Sequence, residues 1–275
     1  MSLKHFLLRP LQRGVAWLQY PLPHHLLSRL ARWVMRNQTL WLKDNLIRWF
    51  VRRHGIRLEE ARYTRIAAYP HFEAFFTRAL RPEARPVTRE PGAVASPVDG
   101  TMSQCGTVER SRLLQAKGRT YSLAELLGGS PQRAEPFQGG EFCTTYLSPR
   151  DYHRVHMPLD GTLREMVHIP GRLFSVNPAT LRHVPRVFAR NERLVCRFDT
   201  EAGPMAVVLV GALVVGGIET TWAGTLTPPS ASRTLAWRYP VSGEEAVHLA
   251  RGDELGRFTL GSTVILLFGP ERVHW

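Results

Sequence analysis

Cysteine is scarce in this 275-residue chain, and its pattern excludes the common structural uses of that residue. The three cysteines, Cys105, Cys143 and Cys196, are odd in number, far apart, and outside any CxxC or Cys/His ligand spacing. They therefore indicate neither a disulfide framework nor a zinc site, and we predict no metal. This usage favours a reducing, cytoplasmic environment.

Long apolar runs are also missing. The most apolar stretch, residues 206–218, is 13 residues long and is interrupted by glycines, whereas a transmembrane helix needs about 20 residues. Its many valines predict a buried strand instead. Basic residues and a proline break up the apolar segments of residues 1–18, so the sequence predicts no signal peptide.

Acidic residues are too few to balance the basic ones. The chain has 36 Lys and Arg against 23 Asp and Glu, a net charge of +13. Residues 1–60 alone carry 11 basic and three acidic residues, which is +8 of that total. Such an excess favours an anionic membrane, a nucleic acid or an acidic substrate. No motif of the common nucleic-acid-binding modules is present, so we do not expect a nucleic-acid partner.

The first 60 residues predict helices with an unusual surface. One predicted helix places Leu26, Leu30 and Trp33 on one face and Arg29 and Arg32 on another. A second, over residues 40–53, is apolar nearly all round and ends before a glycine at position 55. Two helices packed on a soluble core would explain this pattern. The clustering of tryptophan and arginine favours a membrane-associating region that lies on the bilayer without crossing it.

From about residue 85 the pattern changes to short β-branched runs separated by Gly, Pro and Asp-Gly turns. One short helix is predicted at residues 122–127, with Ser122 as cap and Glu125 completing a capping box. The sequence thus predicts an α+β protein, with N-terminal helices on a β-rich domain. Its strands are expected at residues 142–147, 162–169, 194–198, 205–215 and 262–268.

Three segments carry residues suited to chemistry: 96–100, with Asp99; 146–158, with His153 and His156; and 258–264, with Ser262. Singly, each has an ordinary explanation, such as a turn or a turn-to-strand junction. Together Asp, His and Ser would suit a nucleophile relay. The nucleophile elbow of hydrolases requires glycine two positions before the serine, and that position is leucine.

In this order, the three segments resemble the signature blocks of the phosphatidylserine decarboxylase family. Leu260-Gly261-Ser262-Thr263 resembles its bacterial-type self-cleavage motif, and the block from Asp151 to Pro158 is highly specific. The resemblance runs from about residue 60 to the end and extends more loosely to the N-terminal helices. The tail is shorter than in some relatives, since only 13 residues follow Ser262. Further similar stretches are 115–118, 188–193 and 218–224.

The resemblance implies a chain that cuts itself between Gly261 and Ser262, giving a large chain, 1–261, and a small chain, 262–275. Ser262 would become a covalent pyruvoyl group that forms a Schiff base with phosphatidylserine and decarboxylates it to phosphatidylethanolamine. His156 would be the base that activates Ser262, and Asp99 would orient His156. His153 and His156 would both be candidates for delivering the proton in decarboxylation, and His153 would alternatively contact the lipid phosphate.

The same resemblance implies a mostly antiparallel catalytic domain over residues 61–275, attached to the membrane-associating region 1–60. Its partners would be phosphatidylserine and the anionic membrane surface, at the cytoplasmic face of the cell membrane, and a homodimer is compatible with the family. Two alternatives stay open on the residues alone. One is a serine hydrolase that uses Asp99, His156 and Ser262 without cleavage. The other is a non-enzymatic basic protein that binds membranes or nucleic acid.

Overall fold

The protein combines short helices with a large antiparallel sheet. A computed structural model describes residues 13–14, 16–116, 118–213, 217–226, 233–259 and 262–275. Within them the helices are α1 (His24–Met35), α2 (Leu40–His54), α3 (Phe72–Phe76), α4 (Leu123–Leu126), α5 (Pro131–Ala134), α6 (Pro178–His183) and α7 (Val187–Arg190). Single 3-10 turns occur at Leu58–Glu60, Ile66–Ala68, Pro82–Ala84 and Glu135–Phe137.

The described strands are all paired antiparallel. They are β1 (Thr101–Thr107), β2 (Arg112–Ala116), β3 (Arg119–Ser122), β4 (Glu141–Leu147), β5 (Arg154–His156), β6 (Gly161–Ile169), β7 (Arg193–Thr200), β8 (Gly203–Val210), β9 (Ile218–Thr220), β10 (Gly224–Thr225), β11 (Leu235–Arg238), β12 (His248–Leu249), β13 (Glu254–Phe258) and β14 (Ser262–Phe268). The predicted α+β class, with N-terminal helices on an antiparallel domain, is confirmed.

Two sheets make up most of the β-rich part of the fold, which follows the N-terminal helices. The large sheet has the order β1-β4-β14-β8-β7-β6-β11, with β12 also paired to β6. The short sheet has the order β10-β9-β13-β5, and β2 and β3 form a separate hairpin. Because β13 belongs to the short sheet and β14 to the large one, the chain passes between the sheets just before Ser262.

Strand β14 is buried on both faces, which explains its unbroken apolar sequence. Ile265 and Leu267 pack in one core cluster, whereas Val264, Leu266 and Phe268 pack in the other. This alternation follows the two-residue period of a strand. Burial on both sides fixes the register of β14 against its neighbours, and so fixes the position of Ser262.

A third core lies in the N-terminal half and involves α1, α2 and α3. Ile47, Phe50 and Phe75 are buried there, and Arg32 and Arg36 of the α1 end contact the carboxylate of Glu73 at 3.6 Å. Helix α2 ends at Gly55, whose φ of 64° is the left-handed conformation that the sequence predicted for this stop. We call residues 24–80 the helical unit.

Two local predictions need correction. Strand β8 ends at Val210 rather than at 215, because Gly211 turns away to bond with Glu192 and Asn191; residues 214–216 lie outside the described part. Ser122 caps α4 as predicted, but the Glu125 carboxylate binds Arg186 instead of completing a capping box. In the described part of the chain, no helix is long and apolar enough to cross a bilayer.

Candidate active site

Ser262 is the first residue of β14 and lies opposite Leu147, the last residue of β4. Its side chain is completely buried, and its Oγ has no hydrogen-bond partner among the described residues. A buried hydroxyl without a partner is energetically unfavourable, and a reactive role is one explanation for such a group. The predicted cleavage partner Gly261, with Leu260, lies outside the described residues.

His153 is held next to the segment that leads to Ser262. The backbone N–H of Phe258 donates to the His153 carbonyl oxygen at 3.0 Å. The His153 ring is fully buried against Phe76, with ring centroids 4.1 Å apart. Its Nδ1 lies 2.8 Å from the Asp151 carbonyl oxygen, which can only accept, so Nδ1 carries the proton. Nε2 is buried and has no partner.

Burial lowers the pKa of His153 to about 3, because the charged imidazolium would be desolvated. The ring is therefore neutral at physiological pH, with a free lone pair on Nε2. A neutral ring protonated on Nδ1 has no Nε2 proton to give to a phosphate. Of the two roles predicted for His153, this geometry favours proton transfer over a phosphate contact.

His156 is fixed in one tautomer by its two neighbours. Its Nδ1 donates to the Gly252 carbonyl oxygen at 2.8 Å, and its Nε2 lies 3.1 Å from the Tyr152 hydroxyl. Since Nδ1 carries the proton, Nε2 accepts from Tyr152. Burial raises the pKa of Tyr152 to about 12, which keeps this hydroxyl protonated as the donor. The unprotonated Nε2 of His156 thus accepts a hydrogen bond from the Tyr152 hydroxyl.

Asp99 lies in the turn before β1, and its carboxylate accepts hydrogen bonds from Arg85. Nε of Arg85 is 2.9 and 2.8 Å from the two Asp99 oxygens, and Nη2 is 2.6 Å from Oδ2. The hydrogen bonds that Arg85 donates to Asp99 are the main cause that raises the pKa of Arg85. The turn requires glycine at position 100, because a Cβ there would lie 2.5 Å from the Tyr146 carbonyl oxygen.

The structure brings some of the predicted site residues together, but not all of them. Asp99 and His156 line one cavity of about 570 Å³, together with Arg85 and Tyr152. Among the described residues no hydrogen bond joins Asp99 to His156, since Arg85 and Gly252 occupy the groups that such a bond would use. Ser262 Oγ likewise makes no bond to either histidine.

Two residues that line this cavity are not predicted as site residues from the sequence. Arg85 lies in a Pro-rich segment without periodicity, so nothing in the sequence connects it to Asp99, 14 positions away. Tyr152 stands inside the histidine block, but its pairing with His156 depends on how the loop after β4 folds back. For Tyr152, the four-residue spacing from His156 is the feature of the sequence that could have indicated their pairing.

The helical unit leaves large apolar side chains in solvent. On α1 these are Leu30 and Trp33, and on α2 they are Trp41 and Trp49. The exposed fraction of Trp33 is 72% and that of Trp41 is 75%. Side chains of this size seldom stay exposed on a monomer unless they face a partner or a membrane. The exposed cations beside them are Arg29, Arg48, Arg52 and Arg53.

Comparisons with known proteins show the family to which the chain belongs. The family model described as phosphatidylserine decarboxylase matches residues 72–275, and a model described as PSD matches residues 15–55. A phosphatidylserine decarboxylase proenzyme of Pseudomonas paraeruginosa is 60% identical over 255 residues, 93% of this chain and 88% of that protein. One from Pseudomonas putida is 58% identical over 257 residues, 94% of this chain and 89% of that protein. The chain belongs to the phosphatidylserine decarboxylase family.

Proposed function

We propose that this chain is a zymogen that cleaves itself between Gly261 and Ser262 and then decarboxylates phosphatidylserine to phosphatidylethanolamine. The observation that carries the proposal is the Ser262 hydroxyl, which is buried and unpartnered at the head of β14. Membership of the family and the Leu260-Gly261-Ser262-Thr263 sequence support it. The alternative of an uncleaved serine hydrolase has no comparable support.

The cleavage uses only groups of the chain. Ser262 Oγ attacks the carbonyl carbon of Gly261, its proton passes to a base, and the amide C–N bond breaks to leave an ester and a free amine. Loss of the Ser262 Cα proton then expels the Gly261 carboxylate and leaves dehydroalanine. Water replaces its nitrogen, which leaves as ammonia, and residue 262 becomes a pyruvoyl group. The products are chains 1–261 and 262–275.

We assign the base to His156 and its orientation to Asp99. His156 has an unprotonated Nε2, and Asp99 lies on the wall of the same cavity. For the relay to form, Asp99 must exchange Arg85 for His156, and the His156 ring must leave the Gly252 carbonyl oxygen. In the precursor, Arg85 would thus bind the Asp99 carboxylate and keep it from bonding to His156. This assignment predicts motion in the turn before β1 during cleavage.

The surroundings of Ser262 fit a pyruvoyl group, because the residue is excluded from water and no side chain bonds its oxygen. When present, the group supplies an electron sink for the pair left behind as CO₂ departs. His153 then has a defined task. No described side chain occupies its Nε2 lone pair, so the ring is placed to relay to the product carbon a proton released by the substrate ammonium group.

We further propose that residues 1–60 hold the protein on the cytoplasmic face of the membrane as a peripheral enzyme, with residues 61–275 as catalytic domain. The exposed tryptophans of α1 and α2 would enter the interface, and the neighbouring arginines would attract anionic lipid. The substrate is itself an anionic lipid, so the same surface brings the enzyme to it.

Replacing Trp33, Trp41 and Trp49 together by alanine should reduce binding to phosphatidylserine-containing vesicles by about 1,000-fold or more, since each inserted ring contributes about 1.5–3 kcal/mol. Because these rings are mostly exposed, the fold should be preserved. Cosedimentation with vesicles measures the effect. Trp237→Ala, an exposed tryptophan on β11, is the matched control. Unchanged binding of the triple variant would show that the helical unit is not the membrane surface.

The intact mass of the purified protein, followed by an assay of CO₂ release from phosphatidylserine vesicles, tests the proposed function. We expect two chains that separate before residue 262, with the small chain beginning in a ketone in place of an amine. CO₂ release should accompany the two-chain form and disappear when the ketone is reduced with borohydride. A folded single chain that stays whole and releases no CO₂ would refute the proposal.

A further inference from the structure

A second cavity, of about 410 Å³, lies between the helical unit and the short sheet. Arg36 and Arg78 line it from the helical unit, and Arg154 and Arg257 line it from β5 and β13. Thr259, which is buried and immediately precedes the Leu260-Gly261-Ser262 segment, forms part of the wall. The cavity therefore reaches from Arg36, at the C-terminal end of α1, to Thr259, which stands three positions before Ser262 in the sequence.

Most arginines of this cavity already have carboxylate partners. Arg154 Nη1 is 2.6 Å from Glu254 Oε2, and Arg257 Nε is 2.6 Å from Glu219 Oε2. Arg36 is largely exposed and lies 3.6 Å from Glu73. Arg62 also lines the cavity and is exposed. These four cations are therefore neutralised or hydrated in the free protein.

Arg78 is different. It is only 6% exposed, and in the part of the chain that the structure describes it makes no ion pair. Its Nε has no hydrogen-bond partner within the described ranges, and its guanidinium lies over the Phe75 ring at 5.4 Å. Burial lowers the pKa of Arg78, and the Glu60 and Asp99 carboxylates act in the opposite direction without forming an ion pair with it in the described part of the chain. A buried, unpaired charge is costly, so the position is explained if a ligand anion completes it.

A phosphatidylserine head group offers two anions, the carboxylate and the phosphodiester. An arginine bound to the carboxylate would stabilise the substrate more than the transition state, because that charge is lost as neutral CO₂ forms. The phosphodiester keeps its charge from substrate to product, so a cation there binds without opposing the reaction. A guanidinium also matches two phosphate oxygens at once.

We propose that Arg78 binds the phosphodiester of the lipid head group in this second cavity, and so sets how deeply the serine moiety reaches towards residue 262. The inference rests on the proposed decarboxylase function and adds the subsite that recognises the substrate. His153, a neutral base beside this region, is then free for proton transfer. The enzyme should accordingly prefer serine phosphodiesters to serine derivatives that lack phosphate.

The test uses mature two-chain protein and three soluble probes, measured by titration calorimetry. Glycerophosphoethanolamine carries the phosphodiester without a carboxylate, and N-acetylserine carries a carboxylate without phosphate or a free amine. Inorganic phosphate is the third probe. In Arg78→Gln, affinity for glycerophosphoethanolamine should fall by about tenfold or more, whereas affinity for N-acetylserine should not change. Arg65→Gln, an exposed arginine of the same unit outside the cavity, is the matched control and should bind like wild type.

Several outcomes would overturn the assignment. They are loss of N-acetylserine binding in Arg78→Gln, unchanged binding of glycerophosphoethanolamine, or inorganic phosphate binding as tightly as glycerophosphoethanolamine. If Arg78→Gln does not mature, Arg78→Lys keeps the charge without the fork and should show a smaller loss for the same probe. Wild-type protein that never splits or releases CO₂ would refute the proposed function itself. Wild-type turnover with unaltered phosphodiester binding in the variants would refute only the role of Arg78.

Discussion

The Ser262→Ala protein should remain a single chain indefinitely and should release no CO₂ from phosphatidylserine. Alanine removes the one atom that can both attack the Gly261 carbonyl and later leave as part of an ester. Since the Ser262 hydroxyl makes no hydrogen bond to the part of the chain that the structure describes, its removal should not lower the free energy of unfolding. Intact mass spectrometry after prolonged incubation, together with a thermal unfolding curve, measures both effects.

A serine elsewhere in the same sheet serves as control. Ser103→Ala makes the same chemical change on β1, where the hydroxyl donates to the Thr144 carbonyl oxygen at 3.0 Å. That variant should lose a little stability but mature fully, the reverse of what we expect at position 262. Cleavage of Ser262→Ala before residue 262 would mean that another group attacks the peptide bond.

The two histidines should fail at different stages. His156→Ala should slow self-cleavage by about 10²- to 10⁴-fold, the usual contribution of a general base, and the uncleaved chain should accumulate. His153→Ala should still split into two chains and form the ketone, but its decarboxylation rate should fall by a similar factor. Cleavage time courses from denaturing gels and CO₂ release from matured protein separate the two stages.

A third histidine and a small molecule sharpen this comparison. His248→Ala removes an exposed imidazole from β12 and should mature and turn over like wild type. Added imidazole should restore part of the cleavage rate of His156→Ala, because His156 lines an open cavity, but should not rescue the fully buried His153 position. Cleavage that is lost in His153→Ala and retained in His156→Ala would reverse the two assignments.

The elements of this fold were predictable where local sequence and burial agree. The apolar run 262–268 gave β14 with its observed limits, since a strand buried on both faces needs no polar alternation. The stop of α2 at Gly55 followed from the residue that best adopts a left-handed cap. The strand expected to continue to 215 ended early because of bonds to Asn191 and Glu192, which lie far away in sequence.

The site was predictable in its residues but not in its contacts. The family resemblance identifies Asp99, His153, His156 and Ser262 as site residues. It also implies a relay through Asp99, His156 and Ser262, but no hydrogen bond joins these three residues in the described structure. The pairing of Asp99 with Arg85 and the tautomer of His156 depend on which loops come close together in the fold. Such contacts between loops produce no periodic pattern in the sequence. The buried, unpaired state of Arg78 is likewise a property of tertiary packing, since an arginine in a sequence predicts exposure.

The central place of β14 has a consequence for the lifetime of the enzyme. The strand lies between β4 and β8, so the small chain 262–275 would stay in the sheet after cleavage without a covalent link. If the mature protein unfolds, this peptide diffuses away, and its return becomes a bimolecular encounter. The lost ammonia also prevents the peptide bond from being remade. Only the precursor can fold as one molecule, so the half-life of activity is set by the rate of unfolding, and each molecule folds to its active form once.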